Sequence, residues 1–142
     1  MRRRVVFDTS TLVSAALRVD SIPHQALLAA MGTCDLCASV ETLDELARVL
    51  KSAKFDRYME RGVRADFVSV MRRNVHLFAV SDADLKAVTP PCRDKSDHQF
   101  LALARVAGAG VLVSSDQDLL LMHPWHGIAI VTPRQFLSEA GV

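Results

Sequence analysis

The sequence lacks any apolar run approaching the roughly 18 residues of a membrane span, so no membrane association is expected. Its start, "MRRRVVFDTS", is basic and then apolar, but three apolar residues are too few for a signal-peptide core. The segment reads as an arm leading into a first strand. Cysteine is scarce and odd in number, with only Cys34, Cys37 and Cys92, and nothing points to export, so a reducing cytoplasm is the expected compartment. "CDLC" has zinc or redox spacing, yet no second cysteine pair follows it, and "CDLCAS" reads as a short strand whose thiols pack. A large charge of one sign is also missing: the net charge is +1, which leaves any polyanion to be held by a local patch. Repeats and low-complexity tracts are absent, and the longest linker is "AVTPPCRDK" (87–95).

What is present is globular. Half of the 142 residues are hydrophobic and 23% are charged, enough for one ordinary domain spanning 1–142. Such a chain buries about two-thirds of its unfolded surface. "RVVF" (4–7), "HLFAV" (76–80), "GVLVS" (110–114) and "IAIV" (128–131) are apolar without alternation, as strands buried on both faces are. Helical periodicity fills the intervals. "SVETLDELARVLKSA" puts Leu43, Leu46, Ala47 and Leu50 on one face behind Ser39 as N-cap, and "DHQFLALARVAGAG" does the same with Phe100, Leu101, Ala104 and Ala107 before glycines end it. "TPRQFL" carries Thr132 as N-cap, Pro133 at the first helical position and Gln135 closing a capping box. Alternation of this kind predicts a three-layer α/β/α sandwich with a mainly parallel central sheet, in which ligands bind beyond the carboxyl ends of the strands.

Acidic residues fall at those ends. Asp8 follows the first strand in "VVFDTSTLVSA", and Asp116 follows the fourth in "VLVSSDQDLL", with Asp118 two residues on. Asp94 and Asp97 open the helix before that strand, and Glu45 projects from the helix after "CDLCAS". Each has a structural explanation: Asp8, Asp94 and Asp116 as N-caps, Asp97 in a first helical turn, and Glu45 paired with Arg48. Together they carry a cost. Two like charges about 4 Å apart repel by ~4 kcal/mol at an effective dielectric near 20. No lysine or arginine is fixed near Asp8 or Asp116 in sequence, so a hard divalent ion such as Mg²⁺ or Mn²⁺ is the expected partner. The chemistry that follows is metal-assisted hydrolysis of a phosphodiester.

These residues resemble the PIN-domain ribonucleases, and within them the branch similar to VapC toxins. The resemblance runs through "VVFDTSTLVSA", "ASVETLDELARVL", "CRDKSDHQFLALARVAGAGVLVSSDQDLL" and "HGIAIVTPRQFL". It implies a metal-dependent endoribonuclease with Asp8, Glu45, Asp97 and Asp116 as its acidic set, the metal resting on Asp8, Asp97 and Asp116. Thr9 or Ser10 would support Asp8, and Ser114 or Ser115 would support Asp116. An RNA substrate, a homodimer and a cognate antitoxin are further implications. The chain departs from the commoner pattern in one place, where His98 stands after Asp97 instead of a second acidic residue. His98 either replaces a ligand or lines the site.

Other readings compete. A haloacid-dehalogenase-like phosphatase needs a second aspartate two residues after the first, where this chain has Ser10, and a phosphate-binding "GxxxxGK[ST]" loop is absent. A catalytically silent PIN fold that binds RNA or a partner is the alternative from a different class. The run from Arg48 to Arg73 is rich in cations, and Arg57, Arg61 and Arg64 are candidates to hold an RNA backbone, against the alternative of a solvated helical face. His123 and His126, in "MHPWHG", read as loop residues rather than a metal pair, and Met71 as core. Trp125 reads as an anchor of the last loop, with stacking on RNA left open.

Overall fold

Strands without polar alternation need cover on both faces, and the protein provides it. The computed structural model describes residues 2–139; Met1 and residues 140–142, which the sequence reading includes in the domain, lie outside the described residues. In chain order, β1 (Arg3–Phe7) leads through α1 (Thr9–Leu17) and α2 (Ile22–Thr33) to β2 (Cys34–Ala38), and α3 (Val40–Leu50) and α4 (Arg61–Asn74) lead to β3 (His76–Leu77). Next come α5 (Asp82–Lys86), α6 (His98–Ala107), β4 (Val111–Val113), α7 (Gln117–Leu120), β5 (Ala129–Val131) and α8 (Pro133–Glu139).

The strands lie in the order β3-β2-β1-β4-β5, with every described pair parallel. Successive side chains of a strand face opposite ways. Val5 and Phe7 therefore enter one core with α1 to α4 and α8, while Val6 enters the other with Leu112, Ile130 and the apolar face of α6. The sandwich and its parallel sheet are as the sequence predicts. The strand order reverses between β1 and β4, which makes their carboxyl ends the switch point where ligands bind in such sheets.

Local signals set the helix ends. Ser39 caps α3 in a box completed by Thr42, Gly108 ends α6 at φ 65°, and Thr132 and Gln135 exchange hydrogen bonds at the start of α8. The three cysteines are buried free thiols. No helix among the described residues is long and apolar enough to cross a membrane.

One strand differs from expectation. "HLFAV" forms a strand over His76–Leu77 alone, and both residues are exposed. β3 is an edge strand with a neighbour on one side only, and only Phe78 and Val80 of the remainder turn inward, against the second core. Ser81 then caps α5 and ends the extended run.

Candidate active site

The register Phe7↔Val113 sets the two strand ends side by side, and Asp8 N–H donates to the Val113 carbonyl at 3.2 Å. Asp8 is 2% exposed. Its Oδ1 accepts from Thr11 N–H at 3.0 Å and from the Ser10 hydroxyl at 3.4 Å, and its Oδ2 accepts from the Ser114 hydroxyl at 2.6 Å. Asp8 is thus the N-cap of α1 and a member of the acidic edge at once. Burial pushes its carboxyl pKa up, the donors from Ser114 and Thr11 pull it back, and the nearby Asp116 charge pushes it further up.

Asp116 caps α7 through the Asp118 N–H at 2.8 Å, and its own N–H donates to the Ser114 hydroxyl at 2.9 Å. Asp94 caps the 3-10 turn Lys95–Asp97, where Ser96 donates to it from N–H at 3.0 Å and from its hydroxyl at 2.8 Å. Those bonds hold Asp94 below the usual carboxylate range. Asp97 has no such support. It is 7% exposed, and its Oδ2 is buried with no hydrogen-bond partner. Burial first, then the charges of Asp116, Asp94 and Asp8, push its pKa up to about 7.

Asp94, Asp97 and Asp116 each offer an oxygen within 4.8 Å of the others. An open recess of about 430 Å³ takes in these three together with Asp8 and Glu45, and no lysine or arginine lines it. Glu45 reaches it from α3, held by a hydrogen bond from the Gln99 side-chain amide on α6. No ion pair with Arg48 accompanies it among the described residues. Thr9 and Ser10 line the recess, whereas Ser115 and Asp118 do not, and Asp118 contributes by its backbone alone.

Adjacent residues at a helix start point about 100° apart, and the two candidates separate accordingly. Asp97 faces the recess; the His98 ring Nε2 lies 3.1 Å and 3.2 Å from the backbone N and O of Cys92 and ties down the preceding loop. The other histidines are ties as well. His123 accepts from Ile130 N–H at 2.8 Å, and His126 meets the Thr89 carbonyl. Trp125 is buried with its Nε1–H on the Pro90 carbonyl, so it offers no face to RNA.

The basic run needs correcting at Arg64. This side chain is 1% exposed, with its guanidinium held by the carbonyls of Leu50 and Ser52 and by Asp56. It cannot reach an RNA backbone. Arg61 is exposed but forked onto Asp56, Nε to Oδ1 at 3.1 Å and a second nitrogen to Oδ2 at 3.2 Å. Arg57 is exposed and stacks 5.4 Å over the Tyr58 ring. Sequence reasoning missed Ser96, Gln99 and Thr11, each of which fixes an acidic side chain. The "DKS" spacing of an Asx turn signals the first; the contact of Gln99 with Glu45 has no local signal.

A doubly wound α/β sheet with an acidic recess at its switch point defines the class of fold and site. Within that class, the chain belongs to the PIN domain family, whose sequence profile matches residues 4–118. No curated protein sequence matches it. Among solved structures it is similar to PAE2754 of Pyrobaculum aerophilum, with TM-score 0.67 and 14% identity, covering 98% of this chain and 90% of that one. It is also similar to VapBC2 of Rickettsia felis bound to a DNA fragment from its promoter, with TM-score 0.65 and 10% identity, covering 91% of this chain and 98% of that one. A third likeness is to VapC20 of Mycobacterium tuberculosis, described as a sarcin-ricin loop cleaving toxin, with TM-score 0.58, 12% identity, and coverage of 88% and 98%.

Proposed function

We propose that the chain is a divalent-metal-dependent endoribonuclease that hydrolyses RNA phosphodiester bonds and acts as the toxin of a toxin-antitoxin pair. The observation that carries this reading is Asp97, which has one buried oxygen without a partner and lies against two further carboxylates in a recess that no lysine or arginine lines. An orphaned buried acceptor among like charges is costly unless a cation takes it up. The donor set fits a hard ion, because every group offered is an oxygen, and Mg²⁺ or Mn²⁺ is the match. Asp8, Asp97 and Asp116 would hold it; Asp97 and Asp116 form the tight group with Asp94, and Asp8 lies beside that group with both oxygens hydrogen-bonded. When bound, such an ion lowers the pKa of water and neutralises charge on the phosphodiester oxygens.

The chain's own residues do the rest. Ser114, Thr11 and Ser10 fix both oxygens of Asp8, and the Asp118 N–H fixes Asp116, so these carboxylates are ordered before substrate arrives. Glu45, oriented by Gln99 and outside the tight group, is the free carboxylate that accepts a proton from the attacking water. The solved VapC20 and VapBC2 structures support the toxin reading by their fold, and a cognate antitoxin is the partner that this reading implies; a homodimer follows from the family resemblance alone. The test is cleavage of RNA by purified protein with Mg²⁺, Mn²⁺ or a chelator. Cleavage that needs the ion and is abolished by Asp8→Asn is the expected result; no ion-dependent cleavage of any RNA overturns the reading.

A further inference from the structure

A second recess adjoins the acidic one. It holds about 480 Å³, within the range of small-molecule sites, and shares Val13, Ser14 and Phe55 with the acidic recess. Its chemistry is different. Phe55 and Tyr58 line it, the latter 65% exposed, and Arg18 stands in its wall. Lys54 lies 5.1 Å over the Phe55 ring, and the Arg57 guanidinium lies 5.4 Å over the Tyr58 ring. An exposed aromatic flanked by cations, beside the acidic recess read above as the phosphodiester site, is the composition of a platform for single-stranded nucleic acid.

The geometry points to this recess as a subsite for one unstacked nucleobase of the RNA substrate, stacked on Tyr58 and Phe55 beside the scissile position, with Arg18, Lys54 and Arg57 neutralising its phosphates. The inference rests on the nuclease reading of the acidic recess and adds the substrate class: a strand with at least one base out of its stack, since a paired base has no free face to offer. The platform is also built to stay in place. Arg64 binds the Leu50 and Ser52 carbonyls and Asp56, which fasten both ends of the turn that carries Phe55. Neutral apolar surface alone would equally suit a protein segment, but Arg18 in the wall and the cations stacked on its two aromatic rings favour a polyanion.

The test uses a ten-nucleotide single-stranded RNA and the same strand with one abasic position, bound to the full chain in chelator and followed by fluorescence anisotropy. Stacking contributes about 10-fold in affinity per base, so wild-type protein should bind the complete strand about 10-fold more tightly than the best-placed abasic one. Tyr58→Leu should erase that preference, so that the complete and abasic strands bind alike, and Phe55→Leu should weaken it in part. Equal binding of both strands by wild type, or a preference that survives in Tyr58→Leu, overturns the subsite. So does loss of affinity for an apolar peptide but not for RNA in Tyr58→Leu, which would make the recess a protein-docking surface. Cleavage with Mn²⁺ is measured in parallel. A base preference without cleavage by any ion removes the nuclease reading and keeps the nucleobase site; cleavage without a base preference does the reverse.

Discussion

Ser114 joins the two strand ends of the site, donating its hydroxyl hydrogen to Asp8 Oδ2 at 2.6 Å while accepting the Asp116 N–H at 2.9 Å. One fully buried hydroxyl thus fixes residues 108 positions apart in sequence, 8 and 116. Removing it leaves a buried carboxylate short of a donor and an N–H short of an acceptor. Ser114→Ala should destabilise the fold by about 1–3 kcal/mol, and thermal melting should fall by roughly 3–8 °C. Ion-dependent cleavage should drop further than the melting shift explains, because Asp8 loses its orientation. A Ser114→Ala protein that melts and cleaves like wild type would show that the bridge has no role.

The second prediction concerns pH. Asp97 has its pKa raised from 3.8 to about 7 in the folded chain. Between those values the folded protein keeps a proton that the unfolded chain has released, so stability falls as pH rises through the window. Asp8 is shifted in the same direction. Metal-free wild-type protein should therefore melt lower at pH 7.5 than at pH 5, and Asp97→Asn should remove part of that slope, raising the melting temperature at pH 7.5 by about 3 °C. Added Mn²⁺ should restore wild type by binding the ionised carboxylate and should do much less for Asp97→Asn. A slope unaffected by the substitution would mean that Asp97 is ionised without cost.

A third prediction separates the arginines. Arg64→Met deprives the Leu50 and Ser52 carbonyls of their donor and should cost about 2–4 kcal/mol. Arg57→Ala, at an exposed position, should lie within about 0.5 kcal/mol of wild type yet weaken RNA binding and flatten its salt dependence. Denaturant midpoints and affinities at several salt concentrations measure both. Equal stability losses would contradict the separation.

That separation also marks the limit of what the sequence shows. Asp8 and Asp116 are legible because apolar runs of strand length end on them, and the caps at Ser39 and Thr132 because capping is a local code. Arg64 is not. In the run from Arg48 to Arg73 all the arginines look alike, and only the packing of α4 on α3 decides which one is buried beneath the turn at Ser52. The same holds for Glu45, whose place at the recess depends on α6 bringing Gln99 beside α3. Asp94 reads as a plain N-cap, and it is one, but the tight turn through Ser96 also delivers its carboxylate to Asp97 and Asp116. β3 is overcalled because an apolar run carries no record of whether a neighbour exists on its far side.

The last prediction bears on the departure from the commoner acidic pattern at 97 and 98. A ligating imidazole would favour later, softer metals, whereas a carboxylate completes an all-oxygen site. Here Asp97 lines the recess and keeps one buried oxygen without a hydrogen-bond partner, and the His98 ring is engaged with the Cys92 backbone instead. Asp97→Asn keeps the size of the side chain but removes its charge, so the fold should remain and hydrolysis with Mg²⁺ or Mn²⁺ should fall by at least about 100-fold, the loss of roughly 2.7 kcal/mol of transition-state stabilisation. His98→Asn should retain a substantial fraction of activity with an unchanged order of metal preference. It should also lose about 1 kcal/mol of stability with its loop tie. Single-turnover cleavage rates across a metal series, paired with melting curves, read both effects. Should His98→Asn be inactive and Asp97→Asn active with the same ions, the ligand lies one residue along, and the buried oxygen of Asp97 is a feature of the helix start alone.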